Sequence, residues 1–338
     1  MQWHKKCSAL MLAVCVVALF IGWHFFSQDH SDATYGGTAQ AVVIDQEWNV
    51  SENGILQYQV TLSQYNISPP KIDGNSTVSL VLFDSRMTPI SALLRIPKNQ
   101  TNDCGTRDCN DSFPGIVLLP GATVSKEAEQ GLARRLADLG YASITLDQRN
   151  LGGIDPQSDL QMFLKGMEPT EHKMVCDAMA GAEILRRQPE IDPERIIYVG
   201  ESNGGRFAII ACALDARSKG VIAISTCGYG TDLAIASAGG VVDKETARFY
   251  RSIDPESYLN MIAPRPLVMI HSRNDSVISF QLAEQTYLLG LQPKRLHAVG
   301  CSGHGFCPEM GDALKEELAR MKISSEIARN QNCPPKKT

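Results

Sequence analysis

The pattern of apolar positions changes near residue 113 and predicts two kinds of strand. Before that point apolar and polar residues alternate over 56–62, 78–82 and 90–96, as in antiparallel strands with one face in water. After it, short runs are almost entirely apolar, as in parallel strands covered on both faces. These runs begin at Gly115, Ala142, Arg195, Val221 and Pro266.

Helical periodicity lies between the apolar runs. It predicts helices over 125–139, 170–187, 206–214 and 308–330. Leu132, Leu136 and Leu139 fall on one face of the first helix, and Gly140 suits a left-handed C-cap. Strands that alternate with helices predict an α/β fold with a doubly wound, mostly parallel sheet, preceded by antiparallel N-terminal strands.

The N-terminal segment predicts a membrane anchor. Lys5 and Lys6 precede the stretch from Cys7 to Phe26, which contains no acid and no base except His24. Twenty such residues can span a bilayer, and the lysines predict a cytoplasmic N-terminus. A secretory signal peptide, cleaved near residues 31–33, is the alternative. The predicted organisation is a transmembrane or signal segment at 1–27, a linker at 28–45, a catalytic domain at 46–330 and a polar tail at 331–338.

Sequons and cysteines also predict export from the cytoplasm. Six Asn-x-Ser/Thr triplets begin at Asn49, Asn66, Asn75, Asn99, Asn110 and Asn274, and the last of them is expected to stay unglycosylated because it adjoins a candidate catalytic residue. Cys104 with Cys109, and Cys301 with Cys307, are the expected disulfides, with zinc binding as the alternative. Cys333 in the tail is either free or joins two chains. The net charge of −5 argues against a nucleic-acid partner.

The strongest chemical motif is the pentapeptide Gly200-Glu-Ser202-Asn-Gly204. An apolar strand ends at its first glycine and a helix follows directly, which is the context of a nucleophile elbow. The two glycines allow the tight turn, and the amide of Asn203 at the helix start is placed to donate to an oxyanion. Ser202 is therefore the candidate nucleophile.

A serine nucleophile needs a base and a carboxylate that orients the base. In this architecture the order along the chain is serine, acid, histidine. Asp275 follows the strand that starts at Pro266, and His304 lies in a glycine-flanked loop after the next strand. The other six histidines fall in the anchor, the linker, a helix or strands, so His304 is the candidate base. Asp254 and Asp232 are the alternative acids.

Residues 77–325 resemble the α/β-hydrolase superfamily, in particular the dienelactone-hydrolase-like and prolyl-oligopeptidase-like catalytic domains. The resemblance rests on the motifs at 119–127, 146–152, 200–204, 270–275 and 303–306. It implies a second oxyanion amide from Ala122 or Thr123, and it implies neither a metal nor another cofactor. Pro120 and Ser272 depart from the common pattern without removing a catalytic group. Residues 228–262 are a candidate cap, or else a surface excursion.

The expected activity is cleavage of a carboxylic ester, or a related acyl bond, through an acyl-enzyme with a Ser-Asp-His triad outside the cytoplasm. The expected partners are a small-molecule or short-peptide acyl substrate and the membrane. An aminopeptidase or amidase is the alternative within enzymes, although no β-propeller of the prolyl oligopeptidases precedes the domain. The alternative of another class is a non-catalytic, membrane-tethered binding protein on a hydrolase scaffold.

Overall fold

A mixed ten-stranded sheet forms the centre of the protein, whose computed structural model describes residues 48–58, 64–98 and 112–331. The strands are β1 (Trp48–Val50), β2 (Leu56–Tyr58), β3 (Tyr65–Ile67), β4 (Lys71–Asp73), β5 (Ser76–Ser85), β6 (Thr88–Pro97), β7 (Phe113–Leu119), β8 (Ala142–Leu146), β9 (Ile191–Glu201), β10 (Val221–Ile224), β11 (Leu267–Ser272) and β12 (Lys294–Val299). The sheet order is β12-β11-β10-β9-β7-β8-β6-β5-β3, and β4 pairs with β5. The strand pair β1–β2 is separate from this sheet.

The two strand patterns of the sequence correspond to two parts of the sheet. Strands β7 to β12 pair in parallel, whereas β3 to β6 pair antiparallel, and β6 joins the parallel part through β8. Residues of β5 alternate between buried and exposed positions, but every residue of β8, β10 and β11 is buried. The apolar runs are continuous because both faces of the parallel strands are covered.

Helices cover the two faces of the sheet. They are α1 (Gln130–Asp138), α2 (Pro156–Leu164), α3 (Thr170–Arg186), α4 (Asn203–Leu214), α5 (Thr231–Ser237), α6 (Lys244–Ile253), α7 (Leu259–Ile262), α8 (Phe280–Leu289) and α9 (Gly311–Gln331). Alternate residues of β7 enter different apolar clusters: Val117 packs with side chains of α3 and α4, and Ile116 packs with side chains of α1 and α9. The two clusters therefore lie on opposite faces.

Three local predictions need correction. The first helix begins at Gln130 rather than at residue 125, because the amide of Lys126 donates to the Asp147 carboxylate and holds the preceding segment in turns. The dipeptide Asp192-Pro193, whose sequence predicts a turn after the helix at 170–187, lies instead within β9, next to an irregularity in its pairing with β7. The predicted opening strand at 56–62 does not join the main sheet where it is described, since Leu56–Tyr58 pairs with β1.

The predicted cap at 228–262 is mainly part of the helical layer. Phe249, Ile253, Tyr258 and Ile262 from this segment are buried in the larger apolar cluster. Only its first part projects outward, with Leu233 exposed. The segment therefore packs against the body of the domain, which is more than either the cap or the surface excursion anticipated.

Several predictions concern residues outside the described ranges. These are the anchor at 1–27, the linker at 28–45, the pair Cys104–Cys109, Cys333, and the sequons that begin at Asn99 and Asn110. Within the described ranges, no helix has the length and apolar character needed to cross a membrane.

Candidate active site

Ser202 lies in a strained turn between β9 and α4. Its φ and ψ are 51° and −119°, a conformation that a residue with a side chain rarely adopts. A Cβ added to Gly200 would lie 2.3 Å from the carbonyl oxygen of Gly204, and one added to Gly204 would lie 2.1 Å from the carbonyl oxygen of Leu119. Both positions require glycine because backbone approaches them closely. The turn exposes the serine hydroxyl at the carboxyl edge of the sheet.

The structure brings the three predicted side chains together. His304 Nε2 is 2.8 Å from Ser202 Oγ, and His304 Nδ1 is 2.8 Å from Asp275 Oδ2. The serine and the histidine are 102 residues apart in sequence, and the histidine and the aspartate are 29 apart. The side chain of Asp275 is fully buried, whereas that of His304 is 22% exposed. The arrangement can carry a proton from the hydroxyl to the imidazole while the buried carboxylate stabilises the resulting cation.

Backbone amides after β11 hold the Asp275 carboxylate in place. Its Oδ1 accepts hydrogen bonds from the amides of Val277 and Ile278, each at 2.9 Å, and His304 Nδ1 lies closer to Oδ2, at 2.8 Å, than to Oδ1, at 3.1 Å. A second histidine, His271, lies 3.5 Å from the same carboxylate, but its Nε2 is 2.8 Å from the Ile278 carbonyl oxygen. Burial lowers the pKa of His271, so it stays neutral beside the carboxylate. His271 lies within an apolar strand run of the sequence, where a hydrogen-bonded structural histidine is expected, and its contact with Ile278 agrees with that expectation.

The loop that carries His304 is fixed at several points. A disulfide joins Cys301 and Cys307, as predicted, and so brackets the histidine. The Ser225 hydroxyl donates to the Gly305 carbonyl at 3.1 Å, and the Ser272 hydroxyl donates to the Cys301 carbonyl at 2.5 Å. Since both thiols of this pair are used in the disulfide, the zinc alternative does not describe them in this state.

The predicted oxyanion donors lie on either side of the serine. Asn203 is the first residue of α4, where a backbone amide has no partner within the helix. Of the two candidates on the other loop, Thr123 donates its amide to the Leu151 carbonyl at 2.6 Å, which favours Ala122. This loop adjoins the nucleophile, because a Cβ on Gly121 would lie 3.5 Å from Ser202 Cβ.

The alternative acids have other partners. Asp254 is buried and accepts the amides of Tyr229, Thr231 and Glu256. Asp232 has a 75% exposed side chain and pairs with Arg251. The remaining described histidines also lie elsewhere: His172 Nε2 is 2.7 Å from Ser252 Oγ, and His297 Nε2 is 2.9 Å from Glu317 Oε1.

The sequence motifs at 119–127 and 146–152 contain supporting contacts to which no role was assigned from the sequence. Lys126 forms an ion pair with Asp147 at 2.5 Å, which ties the oxyanion loop to the end of β8. The Gln148 amide donates to the Pro120 carbonyl, and the Asn203 side chain donates to the Gly152 carbonyl at 3.2 Å. The only signal for these contacts is the concentration of polar residues after an apolar strand, which does not identify partners.

A second set of residues that the sequence did not reveal lies behind the serine. Glu201 accepts the amide of Phe306 at 3.0 Å and so contacts the histidine loop. Burial and the neighbouring Glu201 raise the pKa of Glu129 well above its ordinary value. A pair of neighbouring acidic side chains from different elements has no distinctive sequence pattern, so only the fold could reveal it.

One surface cavity lies near the oxyanion loop rather than over the triad. Its volume is about 440 Å³, and Thr88, Gln148, Asn150 and Lys173 are among its lining residues. Ser202 and His304 do not line it. The cavity is therefore adjacent to the oxyanion loop through Gln148, but it is not the space directly over the nucleophile.

The known proteins to which this chain is similar include esterases. A family model for acetyl xylan esterase (AXE1) matches residues 137–274. An acetyl xylan esterase from Paenibacillus sp. R4 has a similar structure, with a TM-score of 0.60 and 18% identity over 77% of this chain and 89% of that chain. A glucuronoyl esterase from Solibacter usitatus has a TM-score of 0.53 and 15% identity over 76% of this chain and 86% of that chain. At these identities the similarity is one of fold.

Among curated proteins, the uncharacterised protein YfhR of Escherichia coli O157:H7 is 27% identical over 164 residues. The match covers 46% of this chain and 55% of the relative, so this chain spans about half the length of that protein. The matched region of the family model, 137–274, includes Ser202 but ends before Asp275 and His304.

Proposed function

The chain belongs to the α/β-hydrolase superfamily, and from that premise we propose that it is a serine hydrolase that cleaves carboxylic esters through an acyl-enzyme. One observation carries the proposal. His304 lies 2.8 Å from the Ser202 hydroxyl through one ring nitrogen and 2.8 Å from the buried Asp275 carboxylate through the other. A binding protein on the same fold has no need of this relay.

In the proposed reaction Ser202 Oγ attacks the ester carbonyl carbon while His304 Nε2 takes its proton. Asp275 keeps the other ring nitrogen protonated and stabilises the imidazolium. The amides of Asn203 and Ala122 donate to the negative oxygen of the tetrahedral intermediate, and each contributes roughly 3–4 kcal/mol to lowering the barrier. His304 then protonates the leaving alcohol. A water activated by the same histidine releases the acid.

The proposed substrates are esters with a small acyl group. The names of the family model and of the two similar structures indicate esters of carbohydrates in those proteins. For this chain we propose a short acyl ester of a polyhydroxylated alcohol. Aminoacyl amides serve as the comparison, because the peptidase alternative needs the same triad.

We also propose that the catalytic domain acts outside the cytoplasm, through an anchor or signal segment at residues 1–27. The Cys301–Cys307 disulfide supports an oxidising compartment. The asparagines of the described sequons, Asn49, Asn66 and Asn75, are exposed, as glycosylation requires. Glycosidase-sensitive mass at these positions in the full-length chain from secreting cells tests this part.

The test of activity compares the wild type with Ser202→Ala. The wild type should hydrolyse 4-nitrophenyl acetate, and its Ser202 should react with a fluorophosphonate probe. The variant should lose both reactions with little change in Tm, since only one partly buried hydroxyl and its hydrogen bond to His304 are removed. If the wild type takes up no probe, the non-catalytic alternative applies. If aminoacyl amides are cleaved faster than acetyl esters, the peptidase alternative replaces the esterase.

A further inference from the structure

Glu201, the residue before the nucleophile, contacts the loop of the catalytic histidine. Its Oε2 accepts the amide of Phe306, two residues beyond His304, at 3.0 Å. The same oxygen would lie 2.9 Å from a Cβ on Gly305, so the loop backbone passes directly over the carboxylate. Gly305 also has a φ of +87°, which favours glycine at this approach. The end of β9 therefore holds the serine and the histidine loop together.

A second carboxyl group lies against Glu201. Glu129, which precedes α1, is 6% exposed and is within hydrogen-bonding reach of the Glu201 side chain. Its Oε1 is buried and has no hydrogen-bond partner among the described residues. Two ionised carboxylates at this range would repel each other. A proton on Glu129 removes that repulsion and gives its carboxyl group a hydrogen to donate to Glu201.

The surrounding charges do not neutralise the pair. Arg135 places its guanidinium over the Phe306 ring, 5.4 Å from the centroid. Lys126, which precedes Glu129 in the same segment of turns, pairs with Asp147 and Glu127. His304, on the loop side, binds Asp275 and Ser202. Burial and Glu201 are the causes that raise the pKa of Glu129. Protonated Glu129 can then donate to Glu201, whose Oε2 accepts from the amide of Phe306.

We propose that Glu201 is a positioning residue for His304, and that it holds the histidine loop only while its partner Glu129 carries a proton. This inference rests on the proposed esterase function, because it concerns the base of that reaction. When Glu129 loses its proton, the two carboxylates separate. Phe306 then loses its acceptor and the His304 loop loosens.

The sign of the pH dependence follows from the neutral form of Glu129. Its pKa is raised in the folded protein, so the folded state binds this proton more tightly than the unfolded state does. The stability linked to this group is fully present below the unfolded pKa of about 4.3. This stability is lost as the pH rises towards the pKa of Glu129 in the folded protein. Activity should likewise fall on the alkaline side.

The experiment measures the pH profile of kcat/KM on 4-nitrophenyl acetate for three variants. Glu129→Gln keeps a donor to Glu201 but does not titrate, so its neutral activity should stay within twofold of wild type and its alkaline limb should move up by at least one pH unit. Glu201→Ala removes the acceptor, and kcat should fall at least tenfold with KM within twofold. Glu201→Gln keeps an acceptor for Phe306 and can donate to ionised Glu129, so it should restore most of kcat.

Asp138→Asn is the matched control, because it removes one carboxylate from the exposed end of the same helix. Its profile should overlay that of wild type. A structural role alone would lower Tm without moving the alkaline limb. If Glu129→Gln and Glu201→Gln both keep the wild-type alkaline limb, the proposal is overturned. If one of them does not fold, the other decides.

Amide hydrogen exchange separates this proposal from the esterase proposal. At a given alkaline pH, peptides that contain Phe306 should exchange more slowly in Glu129→Gln than in wild type, and fastest in Glu201→Ala. This readout needs no substrate. If the wild-type protein neither cleaves esters nor reacts with the fluorophosphonate probe, only the proposed esterase function is refuted. Equal Phe306 exchange in all variants would refute the positioning role alone.

Discussion

Replacing Asp275 with Asn tests the Ser202–His304–Asp275 proton relay by exchanging one carboxylate oxygen for an NH2 group. In the wild type Oδ1 accepts the amides of Val277 and Ile278, and Oδ2 faces His304 Nδ1. The Asn oxygen should keep the two amides, because a carbonyl accepts both and an NH2 group cannot. The NH2 group then takes the Oδ2 position and donates to Nδ1 of His304. The ring proton is forced onto Nε2, where it faces Ser202 Oγ.

The expected loss in kcat is large, because this tautomer cannot take the serine proton. The same exchange in a Ser-His-Asp relay costs roughly 10⁴-fold, which corresponds to about 5 kcal/mol of barrier. The assay is kcat on 4-nitrophenyl acetate together with the rate of fluorophosphonate labelling. Both should fall, since both require an activated hydroxyl. The Tm should change much less than kcat does.

Asp254→Asn is the matched control. Asp254 is also buried and also accepts backbone amides, including that of Thr231 through Oδ2. The substitution leaves that amide facing a donor, so it should cost about 1–3 kcal/mol of stability. Activity at a temperature where it is folded should match wild type. A kcat for Asp275→Asn within tenfold of wild type would refute the tautomer argument.

Two further predictions concern the geometry of the turn and the loop. The double variant Cys301→Ser, Cys307→Ser should lose about 2 kcal/mol of stability, as expected for a closed loop of this short length. Its kcat should also be lower than that of the wild type. Free thiols at both positions in oxidised wild-type protein would contradict this prediction. Gly204→Ala should cost about 3 kcal/mol or more and abolish activity, since its Cβ would lie 2.1 Å from the Leu119 carbonyl oxygen. The control is Gly131→Ala, where no atom lies within 4 Å of the added Cβ, so activity and Tm should stay at or above the wild-type values. Equal losses in Gly204→Ala and Gly131→Ala would show that the contact with the Leu119 carbonyl is not the cause.

The parts of the fold that could be predicted are those that depend on burial over several residues. The runs at β8, β10 and β11 are apolar throughout because helices cover both faces, and the sequence shows this directly. The start of α1 was not predictable in the same way. The periodicity extends back to residue 125, but a hydrogen bond from Lys126 to Asp147, 21 residues away, ends the helix at Gln130. The local sequence pattern cannot reveal a hydrogen-bond acceptor that lies far away along the chain.

The residues of the candidate site show the same difference between local patterns, which the sequence reveals, and distant contacts, which it does not. Ser202 was predictable because two glycines and a strand end are local requirements of its turn. His304 and Asp275 were predictable because loops after parallel strands converge at one edge. Glu129 was not, because its partner Glu201 lies in another element and no local pattern marks which acidic side chains become buried. A residue whose role depends on one distant contact becomes visible only in the folded chain.

The order of the parallel strands explains why the histidine loop is held from so many directions. Strands β9, β10, β11 and β12 are neighbours in the sheet and run parallel. Their carboxyl ends therefore meet at one edge, and each contributes a group there: Glu201 and Ser202 from β9, Ser225 after β10, Asp275 after β11, and the loop of His304 after β12. Catalytic distances of 2.8 Å tolerate little movement of a surface loop. Fixing that loop through three adjacent strands limits such movement, so changes at Glu201 or Ser225 should affect kcat although neither side chain needs to touch the substrate.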